Sequence, residues 1–448
     1  MNTRTIFTWS IVIALGGLLF GIDTAVISGA EQDIQKLWNL NLIEHGFTVS
    51  IALIGTVIGA LFGGWPTDAL GRKKTLLWIA VLYLVSAIGS AVATDWYTFL
   101  FFRFIGGLGV GCSSVTAPMY IGELAPASHR GRLVVMFQFN IVFGILIAYM
   151  SNYLLQGVGE NAWRWMLGVE AFPAALFLAL IFMLPESPRW LVVRRGAADQ
   201  AREILRRVNP ATADEELHNI QSAHQRHASL SGSKLFSGKY SLPIMLAILM
   251  AFFNQVSGIN AIIYYAPRIF ELTGLGKDSA LLSTAGLGLV NFIFTLVAVN
   301  FIDRYGRRTL MLVGTFGLIA TLSIVAYAFY SQNFFGYLVP ICLFVYIAFF
   351  AFSQGAVIWV FISEIFPTEV RASGQALGSF THWLMATVIA FTFPYLTEEL
   401  LGEGNTFLLF AVMMVLQLIF VLRVMPETKG TSLEKVEQVL ADDKREVV

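Results

Sequence analysis

The hydrophobic pattern of the chain is a series of long apolar runs separated by short polar or charged breaks. Each run is close to the roughly 20 residues that an α-helix needs to cross the hydrocarbon core of a membrane. Twelve runs are predicted as spanning helices, near 7–29, 47–68, 75–93, 98–121, 131–153, 164–184, 241–272, 280–303, 309–330, 336–363, 372–396 and 405–425. The pattern therefore predicts an all-α membrane protein.

One long polar segment interrupts this series. Residues 192–238 are rich in charge, Gln and Ser, and two stretches in it, 197–210 and 213–227, have the amphipathic pattern of short helices. We expect an N-terminal six-helix half (1–191), a cytosolic helical linker (192–238), a C-terminal six-helix half (239–425) and a cytosolic tail (426–448).

Short motifs recur in the two halves at an offset of about 235 to 241 residues. ELAPASHR at 123–130 corresponds to EIFPTEVR at 364–371, and PES at 185–187 corresponds to PET at 426–428. DALGRK at 68–73 likewise corresponds to DRYGRR at 303–308. Two such repeats are typical of transporters whose halves rock around a site between them. The predicted fold is therefore twelve transmembrane helices in two six-helix pseudo-repeats.

Composition and charge exclude several classes of function. The chain is 56% hydrophobic and 13% charged, with a formal net charge of zero, so a nucleic-acid partner is not expected. The two cysteines, Cys112 and Cys342, lie in apolar runs without a C-x-x-C spacing, which predicts neither a metal site nor a disulfide framework. Enzyme motifs and phosphate-binding glycine loops are missing from the sequence, so we expect no cofactor and no catalytic activity.

The charges between the runs predict the orientation of the chain. Loops on one side carry basic residues: Arg72, Lys73, Lys74, Arg130, Arg132, Arg189, Arg194, Arg195, Arg304, Arg307, Arg308 and Arg371. Loops on the other side carry acidic residues: Glu31, Asp33, Glu44, Asp95, Glu160, Glu398, Glu399 and Glu403. Positive loops stay in the cytoplasm, so both termini are predicted inside. We expect a multi-pass protein of the cell inner membrane, with the monomer as its default state.

Asp23 is a carboxylate inside the first apolar run. Asp23 and Arg103 each lie about six residues from the predicted outer end of their span, so at 1.5 Å per residue they share a depth of roughly 9 Å. A lone buried carboxylate must pair with a cation or take up a proton. Pairing with Arg103 would make Asp23 a proton switch; a purely structural ion pair is the alternative. Glu170, in the sixth run, is a second candidate for coupling or structure.

Further motifs resemble the sugar porter family of the major facilitator superfamily, and within it bacterial sugar–proton symporters of the xylose-transporter kind and facilitative glucose transporters. They are GGWPTDALGRK ending at Lys73, RFIGGLGVG at 103–111, PESPRWL at 185–191, QVSGINAIIYY at 255–265 and PETKG at 426–430. In the symporters of this family an Asp and an Arg at the positions of Asp23 and Arg103 couple the proton, whereas uniporters usually carry a neutral residue instead of the Asp.

Charged residues at the cytoplasmic helix ends predict an inner gate in both halves. The N-terminal set is Asp68, Arg72, Glu123, Arg130, Glu186 and Arg189, and the C-terminal set is Asp303, Arg307, Glu364, Arg371 and Glu427. Opposite charges there can bridge helices when the inner side is closed and part when it opens. Ordinary interfacial charges are the alternative. The resemblance implies the gate.

A sugar needs bidentate amides for its hydroxyls and an aromatic face for its ring. The residues near mid-membrane that offer this chemistry are Gln138, Gln255, Asn260, Asn291, Trp359 and Trp383. For a single amide, hydrogen bonding between helices is an equally good explanation. The resemblance implies that Gln138, Gln255, Asn260, Asn291 and Trp359 contact the sugar, and that Tyr264 and Tyr265 belong to an extracellular gate.

Three positions depart from the family pattern. Asn254 stands where the family usually has a Gln, His382 stands where Gln or Asn is common, and Gln354 stands where an aromatic or small residue is usual. These departures predict an altered pocket and leave the sugar open between hexoses, pentoses and polyols. Apolar Ile145, in place of a Gln of the xylose symporters, favours a hexose.

The sequence favours import of a monosaccharide with a proton. A facilitative uniporter is the main alternative and a transporter-like sugar sensor is a third. The partners expected from this reading are a monosaccharide, a proton and the lipid bilayer.

Overall fold

The computed structural model of the chain describes residues 3–125, 130–229, 235–236, 238–334, 336–367 and 370–429, without the side chains of residues 3, 130–132, 134, 223–229, 299–300 and 303. Within these ranges all regular structure is helical. Twelve helical segments of this part are long and apolar enough to cross a membrane, which confirms the predicted number.

The part of the chain before the linker contains eight α-helices. They are α1 (Thr3–Leu37), α2 (Leu42–Phe62), α3 (Gly64–Leu70), α4 (Arg72–Val92), α5 (Trp96–Leu124), α6 (Arg130–Leu155), α7 (Ala162–Gly168) and α8 (Ala171–Ile181). Asp95 caps α5 by accepting a hydrogen bond from the Thr98 amide at 2.9 Å. The hydroxyl of Thr98 also donates to this carboxylate, and these bonds lower the pKa of Asp95.

Three short helices follow, of which the second and third match the amphipathic stretches predicted at 197–210 and 213–227. They are α9 (Pro188–Arg195), α10 (Ala198–Val208) and α11 (Ala213–Ser229). Ser187 caps α9, and Gly196, with φ 66°, ends it. Apolar side chains of the three helices, among them Trp190, Leu205 and Leu217, form a small core of their own.

The rest of the chain contains eight further α-helices. They are α12 (Ser241–Val256), α13 (Ile259–Leu272), α14 (Lys277–Tyr305), α15 (Arg307–Ser331), α16 (Leu338–Phe352), α17 (Gln354–Ile365), α18 (Arg371–Tyr395) and α19 (Glu403–Arg423), with one π-helical turn at Leu396–Leu400.

The chain divides into two compact units. Unit 1 comprises Met1–Val26, Ile51–Ser151 and Gly157–Gly232, and unit 2 comprises Ile27–Ser50, Asn152–Gln156 and Ser233–Val448. The boundary between the units therefore crosses α1, α2 and α6. The predicted domain limits at 191 and 239 stay a prediction.

Three of the twelve segments that are long enough to cross a membrane each consist of two α-helices. The sixth span changes from α7 to α8 at Glu170, the seventh changes from α12 to α13 at Ser257 and Gly258, and the tenth changes from α16 to α17 at Ser353. Gly258 has φ 87°, a left-handed conformation that only glycine adopts without strain. Each break carries polar groups or lies next to them.

The predicted end of the first span is wrong. The run was expected to end near residue 29, but α1 continues to Leu37. Glu31, expected in an outer loop, is fully buried inside this helix, because His45 and Arg268 lie against its carboxylate. Asp23 therefore lies farther from the end of its helix than the six residues expected, and its depth in the membrane stays a prediction.

Candidate functional site

Asp23 and Arg103 form a buried ion pair in unit 1. The Nη1 atom of Arg103 donates to Asp23 Oδ1 at 2.6 Å, and Nη2 donates to the backbone carbonyl of Asp23 at 3.0 Å. Both residues are 2% exposed. A charge-assisted bond this short holds α1 to α5. Removing one charge would leave the other buried without its partner, which is costly.

Other buried polar side chains lie near this pair. Glu170 is 2% exposed, lies within electrostatic range of Asp23 and Arg103, and has one carboxylate oxygen without a hydrogen-bond partner among the described residues. The hydroxyls of Tyr83 and Ser113 also make no hydrogen bond of good geometry in this part of the chain. Buried polar groups normally have partners, often ordered water. Polar side chains, one of them a second carboxyl group, thus lie close to Asp23.

Amide side chains form a connected chain of hydrogen bonds in unit 2, at the break between α12 and α13. Asn260 Nδ2 donates to Gln255 Oε1 at 2.6 Å, and Gln255 Nε2 donates to Asn254 Oδ1 at 2.9 Å. All three residues are buried. The left-handed Gly258 places Asn260 in the first turn of α13, within reach of Gln255 at the end of α12.

Aromatic rings lie next to the amides. Gln255 Nε2 is 3.2 Å from both ring nitrogens of His382, so the amide lies against this ring. His382 in turn lies between two indoles, with its centroid 4.9 Å from that of Trp359 and 4.7 Å from that of Trp383. The structure thus brings six of the predicted binding residues together.

Three other predicted binding residues are placed differently. Gln354 begins α17; its backbone carbonyl lies 3.4 Å from Asn254 Nδ2, and its Oε1 atom has no partner among the described residues. Asn291 is buried in α14, at 7% exposure. Gln138 is half-buried in α6 and belongs to unit 1.

The first cytoplasmic motif set forms an ion cluster in unit 1. Arg72 donates two hydrogen bonds to the Glu123 carboxylate, from Nε and Nη2, both at 2.8 Å. Its Nη1 atom donates to Asp68 Oδ1 at 3.2 Å. Glu186 accepts the backbone amide of Arg72 at 2.9 Å, at the N-terminus of α4. Ser187 donates to Glu123 at 2.6 Å, so the PES motif joins the same cluster.

The second motif set repeats these contacts in unit 2. Arg307 donates two hydrogen bonds to the Glu364 carboxylate, from Nε at 3.0 Å and from Nη2 at 2.7 Å. Glu427 accepts the backbone amide of Arg307 at 2.9 Å, and Thr428 donates to Glu364 at 2.6 Å. Each bond has its counterpart in the first set, so the sequence repeat is also a repeat of structure.

The remaining residues of the predicted inner gate are outside these contacts. Arg189 is exposed, and Arg371 Nε donates to the carbonyl of Phe366 at 3.1 Å. The side chains of Arg130 and Asp303 lie outside the described residues.

Comparison with known proteins establishes the family of this chain. The family model described as "Sugar (and other) transporter" matches residues 9–440. The chain belongs to this sugar transporter family. It is 36% identical to the D-xylose-proton symporter of Escherichia coli K12, over 97% of this chain and 96% of the relative. It is 37% identical to the arabinose-proton symporter of Bacillus subtilis, over 96% of this chain and 94% of the relative.

Solved structures place the sugar transporter in the major facilitator architecture. The inward-open xylose transporter XylE of E. coli superposes with a TM-score of 0.86 and 35% identity, covering 97% of this chain and 99% of that chain. This confirms the predicted fold class of twelve membrane helices in two six-helix pseudo-repeats. The resemblance to the sugar porters is confirmed as well.

The predicted gate tyrosines of the sugar transporter are buried in α13. Tyr265 donates to the carbonyl of Ala390 at 2.9 Å and packs on Phe393, with centroids 5.1 Å apart. Its backbone, at φ −117° and ψ 16°, leaves helical geometry one turn after Asn260. Tyr264 is 1% exposed.

Several polar residues of the sugar transporter escaped the sequence analysis. Tyr83 was not considered, although a phenol in an apolar run is a signal for a buried polar site. Glu31 was placed in a loop, and His45 and Arg268 were not considered. Glu31 lies two residues after the predicted first span, His45 two residues before the predicted second span, and Arg268 four residues before the predicted end of the seventh. Their positions near span ends were the available signal, but they do not reveal that the three residues meet.

Among the described residues no group of three or more His, Cys, Asp or Glu side chains is arranged to hold a metal ion.

Proposed function

We propose that this sugar transporter imports a monosaccharide together with a proton, by alternating access across the bacterial inner membrane. The observation that carries the proposal is the buried Asp23–Arg103 pair, at 2.6 Å in a chain whose relatives are named as sugar–proton symporters. Both termini are placed in the cytoplasm on the basis of the basic loops. The working unit is a monomer.

The proton acts on Asp23. When Asp23 is ionised, Arg103 holds it and fixes α1 against α5. When Asp23 is protonated, the guanidinium loses its charged partner, and Glu170 is the neighbouring carboxylate that can attract it. If only the loaded protonated carrier and the empty ionised carrier change sides readily, the movement of sugar is tied to that of the proton.

The sugar binds to the amides and aromatic residues. Gln255, Asn254 and Asn260 bond mainly to one another, and a sugar hydroxyl can replace these bonds one for one. Trp359 and Trp383 supply the apolar faces for the ring. His382, Gln354 and Asn291 add polar contacts from other helices. Gln138 is assigned to sugar binding by the family resemblance alone. Hexoses and pentoses both fit this chemistry.

The two cytoplasmic clusters act as the inner gate, and Tyr264 and Tyr265 act as the outer gate. Arg72 and Arg307, with their bidentate carboxylate partners, tie three helical elements together within each unit. Such clusters give each half a rigid inner end, which is what a rocking movement needs. Arg130, Arg189, Asp303 and Arg371 are assigned to the same gate by the motif repeat.

The membrane potential supplies enough energy for uptake. At about 150 mV, one charge that enters the cell is worth roughly 3.5 kcal/mol. This free energy supports an accumulation of several hundredfold. A uniporter with the same pocket would only equilibrate its sugar, and a sensor would bind it without transport.

The first prediction concerns Asp23→Asn. The asparagine can still accept a bond from Arg103, and Glu170 lies close enough to compensate the charge of the guanidinium, but the amide takes up no proton. We expect proteoliposomes with this variant to exchange labelled sugar across the membrane and to lose uphill accumulation driven by a pH gradient.

The matched control is Asp278→Asn, which neutralises an exposed carboxylate in the first turn of α14. This variant should accumulate sugar like the unsubstituted protein. Normal accumulation by Asp23→Asn would overturn the role of Asp23. If this variant lost both sugar exchange and accumulation, the ion pair would have a structural role.

A further inference from the structure

A tyrosine hydroxyl of a neighbouring span holds the break between α12 and α13. Tyr346 of α16 donates to the backbone carbonyl of Ser257 at 2.9 Å, and its oxygen also lies 3.3 Å from Ser257 Oγ. Both residues are 0% exposed. The last carbonyls of an α-helix have no amide partner within that helix, so they need partners from elsewhere. Tyr346 supplies such a partner at Ser257, the C-cap residue of α12.

Ser257 connects this bond to the proposed sugar site. Its Oγ atom donates at 2.7 Å to the backbone carbonyl of Asn254, about one turn earlier in α12. The side chain of Asn254 in turn accepts from Gln255 Nε2 at 2.9 Å. A short path of hydrogen bonds therefore leads from the Tyr346 hydroxyl, through Ser257, to the backbone of a proposed sugar-binding residue.

The span that carries Tyr346 also meets Asn254 at a second place. The backbone carbonyl of Gln354, which begins α17, lies 3.4 Å from Asn254 Nδ2. Tyr346 and Gln354 lie on opposite sides of the break at Ser353, where the backbone has φ −114° and ψ −88°. The two broken spans are therefore connected at their breaks, and Asn254 takes part in both connections.

The ring of Tyr346 is fixed by packing as well as by its hydroxyl. It stacks on Phe350, about one turn later in α16, with centroids 6.4 Å apart and ring planes 16° from parallel. A phenylalanine at position 346 has the same ring, so it can keep this packing. Tyr346→Phe therefore removes the hydrogen bond to Ser257 without opening a large cavity.

We propose that Tyr346 is a positioning residue for sugar binding. Through Ser257 it holds the backbone of Asn254, and with it the bonded amides of Asn254 and Gln255, in the arrangement that the sugar meets. The Tyr346 hydroxyl is already bonded to Ser257, so its effect on the sugar passes through that residue. The inference rests on the proposed function, because it requires a sugar that binds to these amides.

The strength of one hydrogen bond limits the size of the effect. The bond can favour the binding arrangement of the amides over other arrangements by no more than its own free energy, which for a neutral pair corresponds to a population ratio of about 3 to 10. The apparent Kd rises as the fraction of molecules in the binding arrangement falls. Tyr346→Phe should therefore raise the Kd for the sugar by about 3- to 10-fold.

The test measures sugar binding by isothermal titration of the purified full-length protein. The probes are D-glucose, D-galactose, D-xylose and L-arabinose, and the variants are compared with the probe that the unsubstituted protein binds most tightly. We expect Tyr346→Phe to bind this probe more weakly. Ser257→Ala removes the next bond of the path, should weaken binding to a similar extent, and serves if Tyr346→Phe does not fold.

Tyr120→Phe is the matched control. Tyr120 of α5 is also 0% exposed and donates its hydroxyl to a backbone carbonyl, that of Pro185 in unit 1. Both substitutions remove the same kind of buried bond, so both should lower the Tm in detergent. The Kd of Tyr120→Phe should stay within about twofold of the unsubstituted protein. Equal weakening in both variants would overturn the positioning role, because Tyr346 would then act only through stability.

The double variant of Tyr346→Phe and Ser257→Ala tests the path itself. If Tyr346 acts through Ser257, the two losses overlap, and the double variant binds about as weakly as the more affected single variant. Losses that multiply in the double variant, or an unchanged Kd in Tyr346→Phe, would overturn the positioning role and leave the proposed function intact. An unsubstituted protein that binds none of the probes would overturn the proposed function, and this inference with it.

Discussion

Gln255 connects the polar groups of the proposed sugar site. Its carbonyl oxygen accepts from Asn260 and its amide nitrogen reaches both Asn254 and the ring of His382. An amide that both donates and accepts in this position can be matched by a sugar hydroxyl, which has the same two capacities. The site therefore gains polar contacts without burying a charge.

Gln255→Ala should weaken sugar binding. The substitution leaves the Asn260 donor and the Asn254 acceptor without a partner, at a cost of about 1–3 kcal/mol, or roughly 5- to 150-fold in Kd. Isothermal titration of the purified protein with the transported sugar measures this change.

Gln417→Ala is the control for this substitution. Gln417 is a fully buried amide of α19, bonded to Thr315 at 2.6 Å and outside the proposed site. Binding should remain within about twofold of the unsubstituted protein. An equal loss in both variants would mean that Gln255 acts only through stability.

Single residues were predictable where their chemistry conflicted with their surroundings. Asp23 and Arg103 are charges inside apolar runs, and such charges need each other. Glu31 was missed because a charge near the edge of a run is normally read as the end of the helix. Its burial depends on His45 and Arg268, which are distant in sequence, and no local pattern reveals that contact.

At the scale of elements, the breaks in the spanning helices position the polar groups. The apolar pattern predicted where each span lies, because burial in lipid sets its length and composition. The same pattern does not reveal where a span is broken, because a broken helix is as apolar as a continuous one. The change from α12 to α13 at Gly258 is the break that brings Asn260 to Gln255.

Gly258→Ala should disturb this element strongly. A non-glycine residue in the left-handed region costs about 1–2 kcal/mol, and the new Cβ would also lie 2.5 Å from the ring of Phe410. We expect a lower Tm in detergent and weaker sugar binding. Gly274→Ala is the matched control, with φ 90° and no atom within 4 Å of the new Cβ.

The two variants separate the conformational cost from the clash. Gly274→Ala should lower Tm by the smaller amount and leave sugar binding unchanged. Equal effects of the two substitutions would show that the packing against Phe410 does not matter to the site.

At the scale of the whole molecule, the internal repeat organises the chain. The pair of Arg72 with Glu123 and the pair of Arg307 with Glu364 make the same bidentate contact, and Glu186 and Glu427 accept equivalent backbone amides. The sequence predicted these sets as charges at corresponding helix ends. The motif alone did not predict which atoms form these bonds, because helix packing determines which side chains meet.

The proposed transport cycle brings a sugar and a proton into the cell together. The external pH of a lightly buffered suspension of energy-depleted cells that make this protein, recorded as single monosaccharides are added, measures this coupling. The medium should become alkaline with the transported sugar, and this change should be absent in Asp23→Asn. Entry of labelled sugar without any change in pH would contradict this coupling and would make the protein a uniporter.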